Sequence, residues 1–189
     1  MPLYKSIDVN SQTNVKIWQI SEPLDFLISC VELDDIAQKR LSKMKSSTHK
    51  RGFLSVRMLL KVFGYKYCDL YYDHFGKPLL KDGRFISITH SHNYAAVVVS
   101  DQKVGIDIEK QSPKISKIAS KFIGYESNYM DNEASNYINK LTLIWCIKES
   151  LYKLYSKSGI SFKRHFLVIP FGEDCLLYTS DAADDNAGV

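Results

Sequence analysis

Cysteine is scarce and scattered: Cys30, Cys68, Cys146 and Cys175 include no C-x-x-C pair. Four such residues in this length argue against a disulfide scaffold and a zinc site, and for a reduced, cytoplasmic setting. No apolar run approaches the roughly 20 residues of a membrane helix. The start, Met1-Pro-Leu-Tyr-Lys-Ser-Ile-Asp8, lacks the basic and apolar regions of a secretory signal, so no membrane partner is expected. Nine glycines and five prolines are too few for a collagen-like or low-complexity chain. Charge of one sign is also lacking: 25 basic against 21 acidic side chains give +4, too mild a bias to argue for nucleic acid. What remains is the balance of a globular protein, 45% hydrophobic and 24% charged. At 189 residues it has room for one ordinary domain or two small ones.

The last stretch differs in character. After Tyr178 the apolar periodicity stops and small and acidic residues take over. Cys175 to Asp185 looks like the in-frame translation of a sequencing adapter, so 175–189 is read as a non-native or disordered tail. Setting it aside removes three acids and no base, and implies that the last native element is cut short near Glu173 or Asp174.

Val15–Ile20 alternates apolar and polar residues, the period of a half-buried strand. Leu24–Cys30 and Asp34–Leu41 suggest short helices. Ser47–Gly64 is a strong helix, with Phe53, Val56, Leu59, Leu60 and Phe63 at helical spacing and Gly64 as its stop. Tyr71–Pro78 is turn-rich. Phe85–His90, Ala95–Ser100 and Val104–Glu109 read as three consecutive strands of an antiparallel sheet. Ile115, Ile118, Ala119 and Phe122 fall at helical spacing. A long helix runs from about Ser135 to Lys157, and Phe166–Ile169 is a late strand. This order gives an α+β class. Both parts hold a long helix ending near a glycine, a faint hint of internal duplication.

Four segments carry chemistry. In Asp107-Ile-Glu109 two carboxylates project from one strand face, an arrangement that is costly unless a cation sits between them. Mg²⁺ takes one or two protein carboxylates together with phosphate oxygens and water. On the long helix, Trp145, Glu149 and Lys153 follow one another at i, i+4 and i+8, with Lys148 beside them. Glu149 is a candidate base, and Lys148 and Lys153 candidate phosphate ligands. Ser87-Ile-Thr89-His90 places a hydroxyl and an imidazole at a strand end. Gly76-Lys77-Pro78 presents Lys77 on a stiff turn. Taken singly, a solvated strand face, a helix-surface ion pair, a histidine in a turn and a plain lysine turn would also explain them.

Together, from about Arg51 to Lys153, the order and spacing of these segments resemble the 4′-phosphopantetheinyl transferase superfamily. Its patterns are G-K-P, S-x-[ST]-H, G-[IV]-D-x-E and W-x-x-K-E-[SA]-x-x-K. The chain supplies Gly76–Pro78, Ser87–His90, Gly105-Ile-Asp107-Ile-Glu109 and Trp145–Lys153. The resemblance implies transfer of the phosphopantetheine arm of coenzyme A to a serine of an acyl or peptidyl carrier protein, releasing 3′,5′-adenosine bisphosphate. It implies Asp107 and Glu109 as Mg²⁺ ligands, joined by Glu126 in the Phe122-Ile-Gly-Tyr-Glu126 pattern. It implies Glu149 as base for the serine, assisted by Lys153. His90, Lys148 and Lys153 would contact the pyrophosphate, Lys77 and Thr89 the adenosine part, and Arg51 or Arg57 the 3′-phosphate. It also implies a monomer of two similar α/β halves, about 1–100 and 101–174, related by a pseudo-twofold axis, with antiparallel sheets packed on long helices. The alternatives are a coenzyme A-binding protein without transfer activity and a truncated fragment.

Overall fold

A computed structural model describes residues 3–157 and 159–172 of the 189. The proposed tail, 175–189, lies outside the described residues. Strands β1 (Leu3–Asn10), β2 (Thr13–Gln19), β5 (Phe85–Ser91) and β6 (Tyr94–Ser100) form one antiparallel sheet in the order β1-β2-β6-β5. Of its two interior strands, β6 is buried from Ala95 to Ser100, which is why its sequence is nearly continuous in valine and alanine. Helices α1 (Leu24–Cys30), α2 (Asp35–Lys43) and α3 (Ser47–Val62) connect β2 to the rest.

Helix α3 is the spine of this part. The Ser46 hydroxyl accepts from the His49 amide at its start. At its end Gly64, at φ +89, closes the helix, with Gly64 N–H donating to Lys61 and Tyr65 N–H to Leu60, the paired bonds of a Schellman motif. Its apolar stripe of Phe53, Leu54, Val56, Leu59 and Leu60 meets Trp18 of β2 and Val97 and Val99 of β6 in one sealed core. Each such side chain contributes roughly 1.5–3 kcal/mol on burial.

The turn-rich stretch is a hairpin, β3 (Leu70–Tyr72) pairing with β4 (Pro78–Leu80). Asp73 Oδ1 accepts from the amides of Phe75 and Lys77, both at 2.9 Å, and Gly76 takes φ +82. These bonds hold the loop that carries Lys77.

Among the described residues all six strands precede Asp101, and the expected strands at 104–109 and 166–169 are not ladder strands. Their amides have side-chain partners instead. Ile106, Ile108 and Lys110 donate to the hydroxyls of Ser87, Thr89 and Ser91 at 3.1, 3.3 and 3.2 Å. The segment therefore follows β5 in the same direction, rather than adding antiparallel to β6. Val168 donates its amide to Glu126 Oε1 at 2.9 Å, and its carbonyl accepts from the Tyr129 hydroxyl at 2.6 Å.

The apolar spacing at 115–122 folds as a 3₁₀ stretch, Pro113–Ile118, and a single helical turn, α4 (Ala119–Phe122). Helix α5 (Tyr137–Tyr155) ends at Ser156 in the left-handed region, φ 50, followed by the short α6 (Phe162–His165). A second core gathers Phe122, Leu141, Ile144 and Val168 under the rings of Trp145 and Phe162. The chain is thus mixed α+β, with antiparallel sheets packed by helices. Among the described residues no helix is long and apolar enough to cross a membrane.

Candidate functional site

A cleft of about 470 Å³ opens between the β3–β4 hairpin, the end of β5, the 104–110 segment and the last turn of α5. Lys77, Thr89, His90, Asp107, Glu109 and Lys153 all line it, so residues from all four sequence segments share one space.

The acidic segment sits there because Gly105 lets it. A Cβ on Gly105 would collide with the Ser150 carbonyl of α5, so only glycine allows this approach of backbone to backbone. The approach brings Asp107 onto Lys153, Nζ to Oδ1 at 2.8 Å. Lys153 also donates to the carbonyls of Ile106 at 2.9 Å and Ile88 at 3.4 Å. All three ammonium donors therefore have protein acceptors. Lys153 fastens Asp107 and ties β5 to the acidic segment, rather than standing free for a pyrophosphate.

Asp107 Oδ1 accepts a second bond, from Thr89 Oγ1 at 3.0 Å, while Oδ2 is buried without a partner. Glu109 Oε2 accepts from Ser91 Oγ at 2.8 Å. Glu149 stands close enough to feel both acids. Burial first, then the charges of Asp107 and Glu109, push its carboxyl above the ordinary carboxylate value, against the pull of Lys153. The Cys146 thiol is likewise pushed up, by burial and then by Asp107.

His90 rests against α3, where Gly52 makes room: a Cβ there would lie 2.8 Å from the ring's Nδ1. Burial lowers the His90 pKa, and the surrounding positive groups His49, Lys153, Arg40 and Arg57 lower it further. An imidazole whose charged form is disfavoured by burial and by nearby cations is a place where an anion is wanted.

Four of the expected residues, Glu126, Lys148, Arg51 and Arg57, are placed outside the cleft lining. Glu126 and Lys148 are both fully buried and pair with each other, Oε1 to Nζ at 2.7 Å. Lys148 donates further to the carbonyls of Phe122 and Phe162, at 2.7 and 3.1 Å. Glu126 accepts from the Gly124 and Val168 amides, at 3.1 and 2.9 Å. Glu126 therefore does not join Asp107 and Glu109, and Lys148 does not reach the cleft; the acid whose carboxyl feels the charge of the pair is Glu149. Lys148 and Lys153 are five residues apart, about 140° around a helix, and so face different ways. Arg57 stacks 3.5 Å over the Phe53 ring and donates to the Phe53 carbonyl, and burial lowers its pKa. Arg51 reaches Asn93 at 3.4 Å, with a buried Nε lacking a partner. Neither arginine lines the cleft.

Arg40, Tyr72 and Lys157 line it without belonging to any of the sequence segments. Arg40 stands 5.0 Å over the Tyr72 ring. Its only sequence signal is a cation in the last turn of a short helix.

No three acidic, histidine or cysteine side chains among the described residues are gathered to hold a metal by themselves. The unpartnered buried Oδ2 of Asp107, next to Glu109, does fit a hard cation whose other ligands are phosphate and water.

An α+β frame that turns lysine, histidine and arginine side chains and a pair of carboxylates into one cleft has the makeup of a phosphate-handling protein. Residues 103–178 match the model of the 4′-phosphopantetheinyl transferase superfamily. It is 33% identical over 88 residues to the 4′-phosphopantetheinyl transferase gsp of Aneurinibacillus migulanus, covering 45% of this chain and 37% of that protein. It is 36% identical over 83 residues to enterobactin synthase component D of Salmonella typhi, covering 42% of this chain and 36% of that protein. The chain thus spans little more than a third of the length of these curated relatives.

Proposed function

We propose that the protein transfers the 4′-phosphopantetheine arm of coenzyme A to a serine of an acyl or peptidyl carrier protein, with release of 3′,5′-adenosine bisphosphate. The observation that carries this reading is the convergence of Lys77, His90, Asp107, Glu109 and Lys153 on one cleft, with Glu149 beside the acids.

The reaction joins the serine oxygen to the phosphorus bearing the pantetheine arm and breaks that phosphorus's bond to the bridging oxygen. Negative charge grows on the bridging and non-bridging oxygens. Lys77 and Arg40, on opposite sides of Tyr72 in the chain, line the cleft as cations for phosphate oxygens. His90 adds a donor, or a full positive charge once an anion offsets its cationic neighbours. Mg²⁺ held by Asp107 and Glu109 would supply further positive charge for the pyrophosphate. Glu149 takes the serine proton; its raised pKa makes it a stronger base than an exposed carboxylate. Lys153 and Thr89 hold Asp107 in place.

The test is incubation with coenzyme A, Mg²⁺ and a panel of apo carrier domains, read by mass spectrometry. A gain of one phosphopantetheine on a carrier serine, lost with EDTA, is expected. Coenzyme A binding with no gain on any carrier would overturn the transferase reading in favour of a binding protein.

A further inference from the structure

We infer that Ser87, Thr89 and Ser91 form a hydroxyl ladder that sets the position of both cleft carboxylates, with Ser91 the positioning residue for Glu109. The metal part of this inference rests on the proposed Mg²⁺ role of Asp107 and Glu109.

The three residues occupy alternate positions on β5, so their side chains share a face. Each hydroxyl accepts one amide from the acidic segment, Ile106, Ile108 and Lys110 in turn, at a constant separation of 19 residues. The two-residue step matches that of an extended chain lying along the strand. A slip of one residue would turn the acids to the opposite face, and a ladder with a two-residue step forbids it.

Two of the rungs do more. Thr89 accepts from Ile108 and donates to Asp107 Oδ1. Ser91 accepts from Lys110 and donates to Glu109 Oε2 at 2.8 Å. In both cases one hydroxyl grips an amide and the carboxylate of the preceding residue. Its only proton goes to the acid and a lone pair to the backbone. This fixes the carboxylate against the segment that carries it. For Asp107 it also decides which oxygen remains open, since Thr89 and Lys153 both occupy Oδ1 and leave the buried Oδ2 without a partner. Ordinary sheet pairing would grip only the backbone. Here register and carboxylate aim are written into three side chains.

Such hydrogen-bonding partners of metal ligands are typically worth about 10–100-fold in metal affinity. Ser91 is only partly buried, so its replacement by alanine leaves no core cavity. In the full chain, Mn²⁺ binding followed by electron paramagnetic resonance, with amide exchange followed by NMR, reads both halves of the inference. Ser91→Ala is expected to weaken Mn²⁺ binding about tenfold or more and to speed exchange at Lys110 while Ile106 stays protected. Ser91→Thr, which keeps the hydroxyl, restores both. Wild-type Mn²⁺ affinity in Ser91→Ala, or no Mn²⁺ binding by the wild type, overturns the inference. Carrier loading is assayed separately: its failure with the Mn²⁺ pattern intact would overturn the transferase reading and support the ladder.

Discussion

Lys148 Nζ and Glu126 Oε1 meet at 2.7 Å with both side chains completely shielded from water. Around this pair converge the Phe122 and Phe162 carbonyls and the Gly124 and Val168 amides. Four backbone groups from segments without a sheet ladder thus have charged partners on or beside α5. The pair does for the second core what strand pairing does for the first: it satisfies buried backbone groups that would each cost free energy if left bare.

Lys148→Met should therefore behave as a folding variant. Removing one member of a buried pair costs about 3–5 kcal/mol, because the other charge is left uncompensated. The double variant Glu126→Gln with Lys148→Met should regain part of that loss. Urea unfolding of the three proteins measures both effects. A Lys148→Met protein of wild-type stability whose KM for coenzyme A has risen would return Lys148 to the list of phosphate ligands.

Acid should release the same clamp. Burial raises the Glu126 pKa, but hydrogen bonds from Lys148 and from the Gly124 and Val168 amides outweigh it and hold the carboxyl below its ordinary value. A depressed carboxylate contributes stability that is fully present above the unfolded-state value, about 4.3, and is lost as pH falls through the lower folded-state value. The melting temperature should drop across that window, and Glu126→Gln should flatten this part of the profile while lowering stability at neutral pH. Thermal melts from pH 7 downward check it.

Gly105→Ala tests how the acids reach the cleft. The added Cβ would strike the Ser150 carbonyl, which belongs to helix backbone and cannot swing aside. Overpacking of this kind costs about 1–3 kcal/mol, and relief by moving the segment would stretch the contact of Asp107 with Lys153, now 2.8 Å. Loss of carrier loading with a modest fall in melting temperature is expected. Gly172→Ala, where nothing lies within 4 Å, should leave both unchanged.

What the sequence made legible and what it hid follow one physical line. Helix α3 was readable because its apolar stripe and its Gly64 stop are local signals. The convergence of Lys77, His90, Asp107 and Lys153 was readable from motif order. The 104–109 alternation reads as a third antiparallel strand, yet the segment runs along β5 on hydroxyl partners, because alternation cannot say whether the amides find carbonyls or hydroxyls. β1 escaped notice because it is an edge strand whose residues are nearly all exposed or half-buried. Glu126 and Lys148 were misplaced because a charged residue in a motif was read as a functional one. Five-residue spacing on a helix already separates Lys148 from Lys153.

His90 should take up a proton when the cleft fills with phosphate. In the free protein burial lowers its pKa, with His49, Lys153, Arg40 and Arg57 adding repulsion. An anion offsets those cations and favours the imidazolium, so the pKa rises on binding. Affinity for 3′,5′-adenosine bisphosphate should then strengthen as pH falls through the histidine range and weaken above it. An NMR titration of the His90 ring with and without the nucleotide reads the shift directly; an unchanged midpoint would remove His90 from the phosphate contacts.

Glu149→Gln should separate stability from activity. Its folded-state pKa is raised, by burial and by the charges of Asp107 and Glu109. For a carboxyl with a raised pKa the folded state binds more protons than the unfolded state. Stability therefore falls as pH rises between the two values, and the penalty persists at neutral pH. The isosteric amide removes the charge that causes it, so the metal-free melting temperature at pH 7 should rise. The same change removes the base that accepts the serine proton, a contribution of about 10²–10⁴-fold, so carrier loading should collapse while coenzyme A still binds. Melting curves, a binding titration and the loading assay on one preparation test all three. A Glu149→Gln protein that loads carrier at the wild-type rate would overturn the assignment of Glu149 as base.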